Sequence, residues 1–323
     1  RIRRDDPYKQ LSLQQKENMF ARIAHAAFTE NRYFIRENEL VKMIRNFISN
    51  LPNFKSDNLE IDSNEVLRTI ESHHGIFVER AKNIHTFAHL TFQEYFTAKY
   101  IVDKGYLELE KLVRQHLYND KWKEVFQLVA GMLPDADELL LLMLNKNREL
   151  LLVPFLNKTI NITQKGILLT DDKYSNEARK AMFIYFALAR DLTLELARAV
   201  SLARLRDRDR AFDFARSLDV ARDVAQNLAT TLEPKLNDYD SSLDSGLELK
   251  LDHSLIRELA RELARDLAYN LDLGMDNIEV TKTLATLSDF LNCNTLIIQC
   301  LNTASYVSKP TRDHIMQGIF SPI

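Results

Sequence analysis

The residues with the most chemical potential lie in one stretch, 86–102, reading TFAHLTFQEYFTAKYIV. His89 places an imidazole just before a helix start, where backbone N–H groups and the helix dipole favour an anion. On the residues alone two readings stay open: a satisfied structural histidine at a strand end, or a ligand to an anion. Thr91 with Glu94 three residues on fits a capping box. Phe92, Tyr95, Phe96, Lys99 and Tyr100 recur at helical steps and predict a heavy aromatic face pinned against a core. The other candidate groups do less. His73 and His74 are adjacent, so they point apart and fit an exposed pair at a helix end better than a metal site. Cys293 and Cys300, seven apart on one helix face, fit small apolar core residues. No C-x-x-C pair or H-E-x-x-H occurs, so no zinc site is expected. No G-x-x-x-x-G-K-[ST] loop cradles phosphate, and no G-x-S-x-G elbow presents a nucleophile. The expectation is no catalytic residue, no metal ligand and no cofactor held by this chain alone.

The elements around this stretch follow from periodicity. Residues 1–10 are a polar, basic strap. Apolar stripes predict helices over 13–28 and 37–48, and a third begins at Ser63 and ends near His73 with Gly75 as its C-cap. The β-like runs 75–80 and 84–88 flank Ala81-Lys82-Asn83 as a hairpin. Three helices and then a hairpin is winged-helix order. The third helix carries Glu65, Arg68 and Glu71, and the hairpin adds only Arg80 and Lys82. That is too little positive charge to neutralise DNA phosphates, so a packing and hinge module is the better reading.

Beyond residue 106 the pattern is helical: 107–117, 121–133 and 135–144, the last with Pro134 at a first-turn position. Trp122, the only tryptophan, fits a core or interface anchor. Residues 159–173 read as a polar connector, and Asn161-Ile-Thr163 as a chance glycosylation sequon. Leu188-Ala-Arg-Asp-Leu192 recurs as Leu263-Ala-Arg-Asp-Leu267, with Ala-Arg echoes at 197, 203, 215, 221 and 260. Such echoes suggest stacked helix pairs. The alternating Arg206-Asp-Arg-Asp-Arg210 run fits a solvated face or a helix junction. Residues 234–246 form an acidic loop, and helices are expected over 251–271 and 278–306, the last stopped by Pro310. The expected fold is mainly α: a winged-helix domain with a small β-hairpin (1–104), a helical domain (105–173) and a solenoid-like helical region (174–323).

Composition agrees. Seven glycines and seven prolines in 323 residues are too few for a turn-rich β architecture. Hydrophobic residues at 46% and charged residues at 28% fit a globular chain and argue against disorder. A net charge of −3 gives no bulk attraction to nucleic acid or membrane. Two cysteines exclude a disulfide framework and fit a reducing cytoplasm. No apolar run reaches a membrane span and no signal peptide is evident. The chain opens on Arg1 rather than Met, so a fragment of a longer protein is expected.

Residues 87–98, FAHLTFQEYFTA, resemble the Phe-x-His-x-Thr/Ser-Phe-Gln-Glu-Tyr/Phe-Phe-Ala-Ala signature of NACHT-type STAND NTPases, the group that includes the NOD-like receptors. The match departs at Thr97, where that family often has Ala. HGIFVER (74–80) and KWKEVFQLVAGMLPDADELLLL (121–142) resemble bacterial NACHT proteins too, so the likeness covers the first half of the chain. In the family, the signature lies in the winged helix after the nucleotide-binding domain. Its histidine reaches the β-phosphate of bound ADP and locks a closed state. The resemblance therefore implies that His89 contacts ADP in a full-length parent that binds ADP or ATP, with Phe92, Gln93, Glu94, Tyr95 and Phe96 serving packing and capping. It also implies a nucleotide-binding domain of the same polypeptide as partner, a trigger ligand of unknown identity such as a phage protein, and homo-oligomerisation on activation. Antiphage defence is implied by the bacterial members. The alternative from a different class is a freestanding helical scaffold or winged-helix nucleic-acid-binding regulator. Without a phosphate loop or Mg²⁺ ligands, the 323-residue chain is expected to release no phosphate from ATP above a blank in a steady-state assay.

Overall fold

A computed structural model of the chain describes residues 8–52, 59–73, 75–167, 175–188, 208–233, 257, 260–261 and 277–322. The chain forms two compact units, Arg1–Leu112 with Lys121–Pro134, and Val113–Asp120 with Asp135–Ile323.

In the first unit α1 spans Leu13–Thr29. Ser12 caps it: its hydroxyl accepts from Gln15 N–H at 3.2 Å while Gln15 Oε1 accepts from Ser12 N–H at 2.8 Å, a reciprocal box that uses two otherwise orphan donors. Its helical stripe buries Met19, Phe20, Ile23, Ala24, Ala27 and Phe28. A two-residue strand β1, Ile35–Arg36, leads into α2, Glu37–Ile48, which buries Leu40, Val41, Ile44 and Ile48. Helix α3 spans Leu59–His73. Gly75 follows it at φ +58° and returns its N–H to Ile70 O at 3.2 Å. That left-handed conformation is natural for glycine after a helix.

Strands β2, Phe77–Ala81, and β3, Ile84–Phe87, form the hairpin. The turn is closed by Asn83 at φ +60°, a conformation asparagine tolerates better than most residues. The sheet order is β1-β3-β2, all antiparallel, with Phe77 opposite Phe87 and Ile35 opposite His85. The hairpin expected from sequence is present, and the two-residue β1 makes it a three-stranded sheet. Helix α4, Leu90–Lys104, packs on α1 and on α6, Lys123–Met132. Gly105, at φ +77°, ends α4 and lets the chain turn directly into α5, Tyr106–His116. Trp122 is buried and stands edge-on to Phe28, centroids 4.8 Å apart at 87°, so it is a core anchor.

The second unit is helical among the described residues: α7 Asp137–Arg148, α8 Pro154–Ile167, α9 Asn176–Phe186, α10 Arg208–Leu232, α11 Asn277–Thr303 and α12 Lys309–Gly318. Helix α11 packs against α7 and α10, and α9 against α8 and α10. A chain of buried amides threads this unit. Asn147 Nδ2 donates to Asn294 Oδ1 at 2.8 Å and to Phe290 O at 3.1 Å, and Asn294 Nδ2 donates to Ile319 O at 2.8 Å. Buried amides are tolerated when bonded in this way. Cys293 and Cys300 are buried on α11.

Several expectations need correction. Helix α3 begins at Leu59, four residues before the expected Ser63. Pro134 precedes α7 without entering it, since the helix begins at Asp137. Residues 159–167, expected as connector, belong to α8; Thr159 and Thr163 satisfy their hydroxyls on the carbonyls four residues back, so their polarity costs the helix little. Pro310 does not merely stop α11. It sits in the first turn of α12, where its missing N–H has no intrahelical partner to lose. The echoes at 188–192 and 263–267 lie outside the described residues apart from Leu188, as do all of the acidic loop and most of the 251–271 helix. Where the pattern is described, alanine faces inward and arginine outward. Ala221 and Ala260 are buried, and Arg222 meets Asp219 and Asp223.

The aromatic face expected on α4 splits. Phe96 is 8% exposed, whereas Phe92 and Tyr95 are 39% and 43% exposed. Phe96→Ala is expected to lower the unfolding free energy of the 323-residue chain by about 3–5 kcal/mol, and Phe92→Ala by about 0.5 kcal/mol. Paired denaturant titrations distinguish the two; equal effects would show that the face is not divided as described.

Candidate functional site

The site lies where β3 hands the chain to α4. Phe87 is buried, and Ala88 N–H donates to Ile76 O at 2.8 Å, holding the strand end in place. His89 follows as the N-cap of α4, extended at φ −133° and ψ 147°. Its imidazole is exposed, makes no side-chain capping bond, and stands edge-on to Phe92 with ring centroids 5.8 Å apart. Arg80 reaches the same corner from β2, its Nη2 donating to Ala88 O at 3.4 Å. An imidazole and a guanidinium thus flank a helix N-terminus whose cap residue supplies no side-chain acceptor. Chemically this corner can receive an anion. Arg80 was weighed from sequence only as one of too few cations; its cross-strand position needed the hairpin register.

The Thr91–Glu94 capping box does not form. A box requires Thr at the N-cap, but the helix begins at Leu90, so Thr91 falls inside the first turn. Glu94 turns inward instead and is 7% exposed. Burial pushes its carboxyl above the usual range; Glu124 adds to the rise and Lys121 opposes it. Lys121 is pushed down by burial, with Glu94 opposing. Its Nζ donates to Phe28 O and Asn31 Oδ1, both at 2.6 Å, and stands 4.0 Å from the Phe28 ring centroid. This ammonium ties the end of α1 to the start of α6. Next to it Gln93 is buried and its Nε2 donates to Arg32 O at 3.1 Å. Glu94, Lys121 and Gln93 are therefore fold-holding polar groups beneath the site, and Gln93 and Phe96 serve packing as expected.

Sequence reading gave no role to His85. It is buried on β3, with Nε2 2.5 Å from Glu71 Oε1 on α3. The two-residue period of a strand, which turns His85 and Phe87 to one face, was the available signal. Among the described residues no group of three His, Cys, Asp or Glu side chains could hold a metal ion. Burial raises the thiols of Cys293 and Cys300, which disfavours the reactive thiolate. The side chain of His73 and all of His74 fall outside the described residues. No helix among the described residues is long and apolar enough to cross a membrane.

Three helices, a β-hairpin wing and a short third strand define the first unit as a winged helix. Residues 6–101 match the family model described as a winged helix-turn-helix domain C-terminal to NACHT. The match takes in β1–β3, His89 and most of α4. Domains of this family are not themselves catalytic ATPase domains. Searches of curated proteins and of solved structures found no match.

Glu94 supplies a pH test. Its folded pKa lies above the unfolded value near 4.5, so the folded chain binds more protons there and loses stability as pH rises through the folded pKa. Glu94→Gln should therefore gain on the unmodified chain as pH increases from below 4.5 toward neutrality. Denaturation midpoints at several pH values check this; a constant difference would show that Glu94 titrates as it does in the unfolded chain.

Proposed function

We propose that this chain is the regulatory and sensor portion of a NACHT-type signal-transduction ATPase, akin to the NOD-like receptors, and that His89 contacts bound ADP to hold an off state. The observation that supports this reading is the exposed imidazole at the N-cap of α4 inside a segment that matches the NACHT-associated winged-helix family. The nucleotide itself would be cradled by a P-loop domain of the same polypeptide, supplying the ATPase chemistry. His89 would donate an N–H to a phosphate oxygen across the domain boundary, with the first turn of α4 lending its positive end.

The surface around His89 fits such a partner. Leu90, Phe92 and Tyr95 are exposed at 48%, 39% and 43%, and a covering domain would remove this apolar face from water. In the ADP form the interface is stabilised; a trigger that prefers the open form shifts the population away from it. The helical region beyond the winged helix would perceive the trigger, which in bacterial defence would be a phage component, and activation would proceed through homo-oligomers in the cytoplasm.

Loss of a hydrogen bond to a charged group costs about 1.5–3 kcal/mol. His89→Ala in the full-length parent should therefore weaken ADP by roughly 10- to 150-fold and raise basal effector output, while the 323-residue chain keeps its melting curve. Equilibrium ADP titration of the parent checks this. Unchanged ADP affinity would rule out the assignment.

A further inference from the structure

We propose a second anion site, at the opposite end of β3 from His89: the cleft between the start of α2, α3 and the tip of the β2–β3 hairpin binds a small anion bearing two or more phosphate charges. The cleft has a volume of about 590 Å³, and its lining includes Arg36, Arg45, Lys82, Glu37, Asn38 and Asn83. Among the described residues the lining holds three cations and one carboxylate. The volume falls within the range of small-ligand sites, roughly 300–1,000 Å³.

The fold brings these groups together by two backbone links. Arg36 pairs with Ile84 in the sheet, and Glu37 N–H donates to Asn83 O at 2.9 Å, clamping the hairpin tip to the first turn of α2. Asn83 holds φ +60° there. Lys82 and Asn83 are thus fixed beside the N-terminus of α2.

Local folding does not explain the charges found there. Arg36 is the N-cap of α2 and makes no side-chain capping bond. Arginine is a poor choice at this position: it supplies no acceptor for the first-turn N–H groups, and its charge sits at the positive end of the helix dipole. Glu39, the other acid of the first turn, is engaged with Arg32 at 3.3 Å. Arg36 and Lys82 are exposed and have no ion-pair partner among the described residues. A bound polyanion reconciles the converging cations, the uncapped helix end and the asparagine amides, which donate to phosphate oxygens.

A small ligand fits better than duplex DNA. The cations line a cleft, while the exposed Glu65 and Arg68 of α3 differ in sign and give no basic face. The proposal does not depend on the role of His89, which lies beyond the far end of β3.

The test is calorimetric titration of the 323-residue chain with inorganic pyrophosphate and, separately, with ADP. Saturable one-site binding is expected. The double variant Arg36→Gln/Lys82→Gln should weaken it at least tenfold, while Lys111→Gln/Arg114→Gln, removing the same charge from α5, should leave it within twofold. Circular dichroism confirms that each variant folds. Binding of either ligand with this pattern supports the site, and their affinity ratio separates inorganic from nucleoside-borne phosphate. Absence of saturable binding, equal weakening by the two charge-removing pairs, or tighter capture of a duplex oligonucleotide through Arg36 and Lys82 would each overturn it.

Discussion

One aromatic cluster fixes where α4 begins. Phe20 on α1 stands 5.9 Å from Phe77 and 5.3 Å from Phe96, and Phe77 stands 4.7 Å from Phe87, in edge-on or tilted contacts. These are the separations at which aromatic rings attract beyond simple area burial. Phe87 closes β3 and Phe96 lies on the second turn of α4, so both ends of the segment 88–95 are anchored to the same core. The chain between them must leave the sheet and start a helix within a few residues. His89 is left at the boundary, facing water, between the buried anchors Phe87 and Phe96.

The same helix is supported from below by groups that are costly to bury. Glu94, Gln93 and Thr97 all sit on its inward face. Gln93 and Thr97 are bonded, Gln93 to Arg32 O and Thr97 Oγ1 to Gln93 O at 2.6 Å. Glu94 shares its surroundings with Lys121, which grips the end of α1 through Phe28 O and Asn31. A carboxyl shifted toward its neutral form by burial and an ammonium held by a carbonyl, an amide and a ring are two ways of limiting the cost of desolvating charge. Polar groups of the first unit's interior thus gather on the inward face of α4, with His85 and Ser63 buried apart from them. In the second unit neutral amides, Asn147 and Asn294, link α7, α11 and the end of α12, and Arg179 and Lys180 of α9 are buried as well.

The hairpin gives the winged helix two ends with different chemistry. Asn83 and Glu37 fasten its tip to α2, gathering Arg36, Arg45 and Lys82. Its other end, at Ala88, carries Arg80 and His89 beside α4. β3 is only four residues long, so small changes of register would move both ends together. The irregular step between Glu79 and Ala81 in the β2–β3 pairing is where the hairpin absorbs an extra residue, as a bulge does, before reaching its tip.

Sequence alone determined α1, α2 and the hairpin, because these rest on local periodicity: the stripe Met19–Phe20–Ile23–Ala24–Ala27–Phe28, the stripe Leu40–Val41–Ile44–Ile48, and two β-like runs around Ala81-Lys82-Asn83. It also singled out His89, through the types and spacing of the residues around it. What it could not determine was which side of α4 faces inward. Phe92 and Phe96 are equally apolar and lie on adjacent positions of a helical wheel, so their pattern fits either of two rotations. Thr91 and Glu94 likewise had the spacing of a cap without the position of one. Tertiary structure decided both points, because Phe20, Phe77 and Phe87 offer a single apolar surface and Phe96 reaches it. The inward arc of α4 centres on Gln93, Thr97 and Ile101, takes in Glu94 and reaches Phe96 at one edge, which leaves Phe92 and Tyr95 outside it beside His89. The partners that make those buried polar groups tolerable, Arg32 O and Lys121, lie 61 and 27 positions away in sequence, a separation that no local pattern spans.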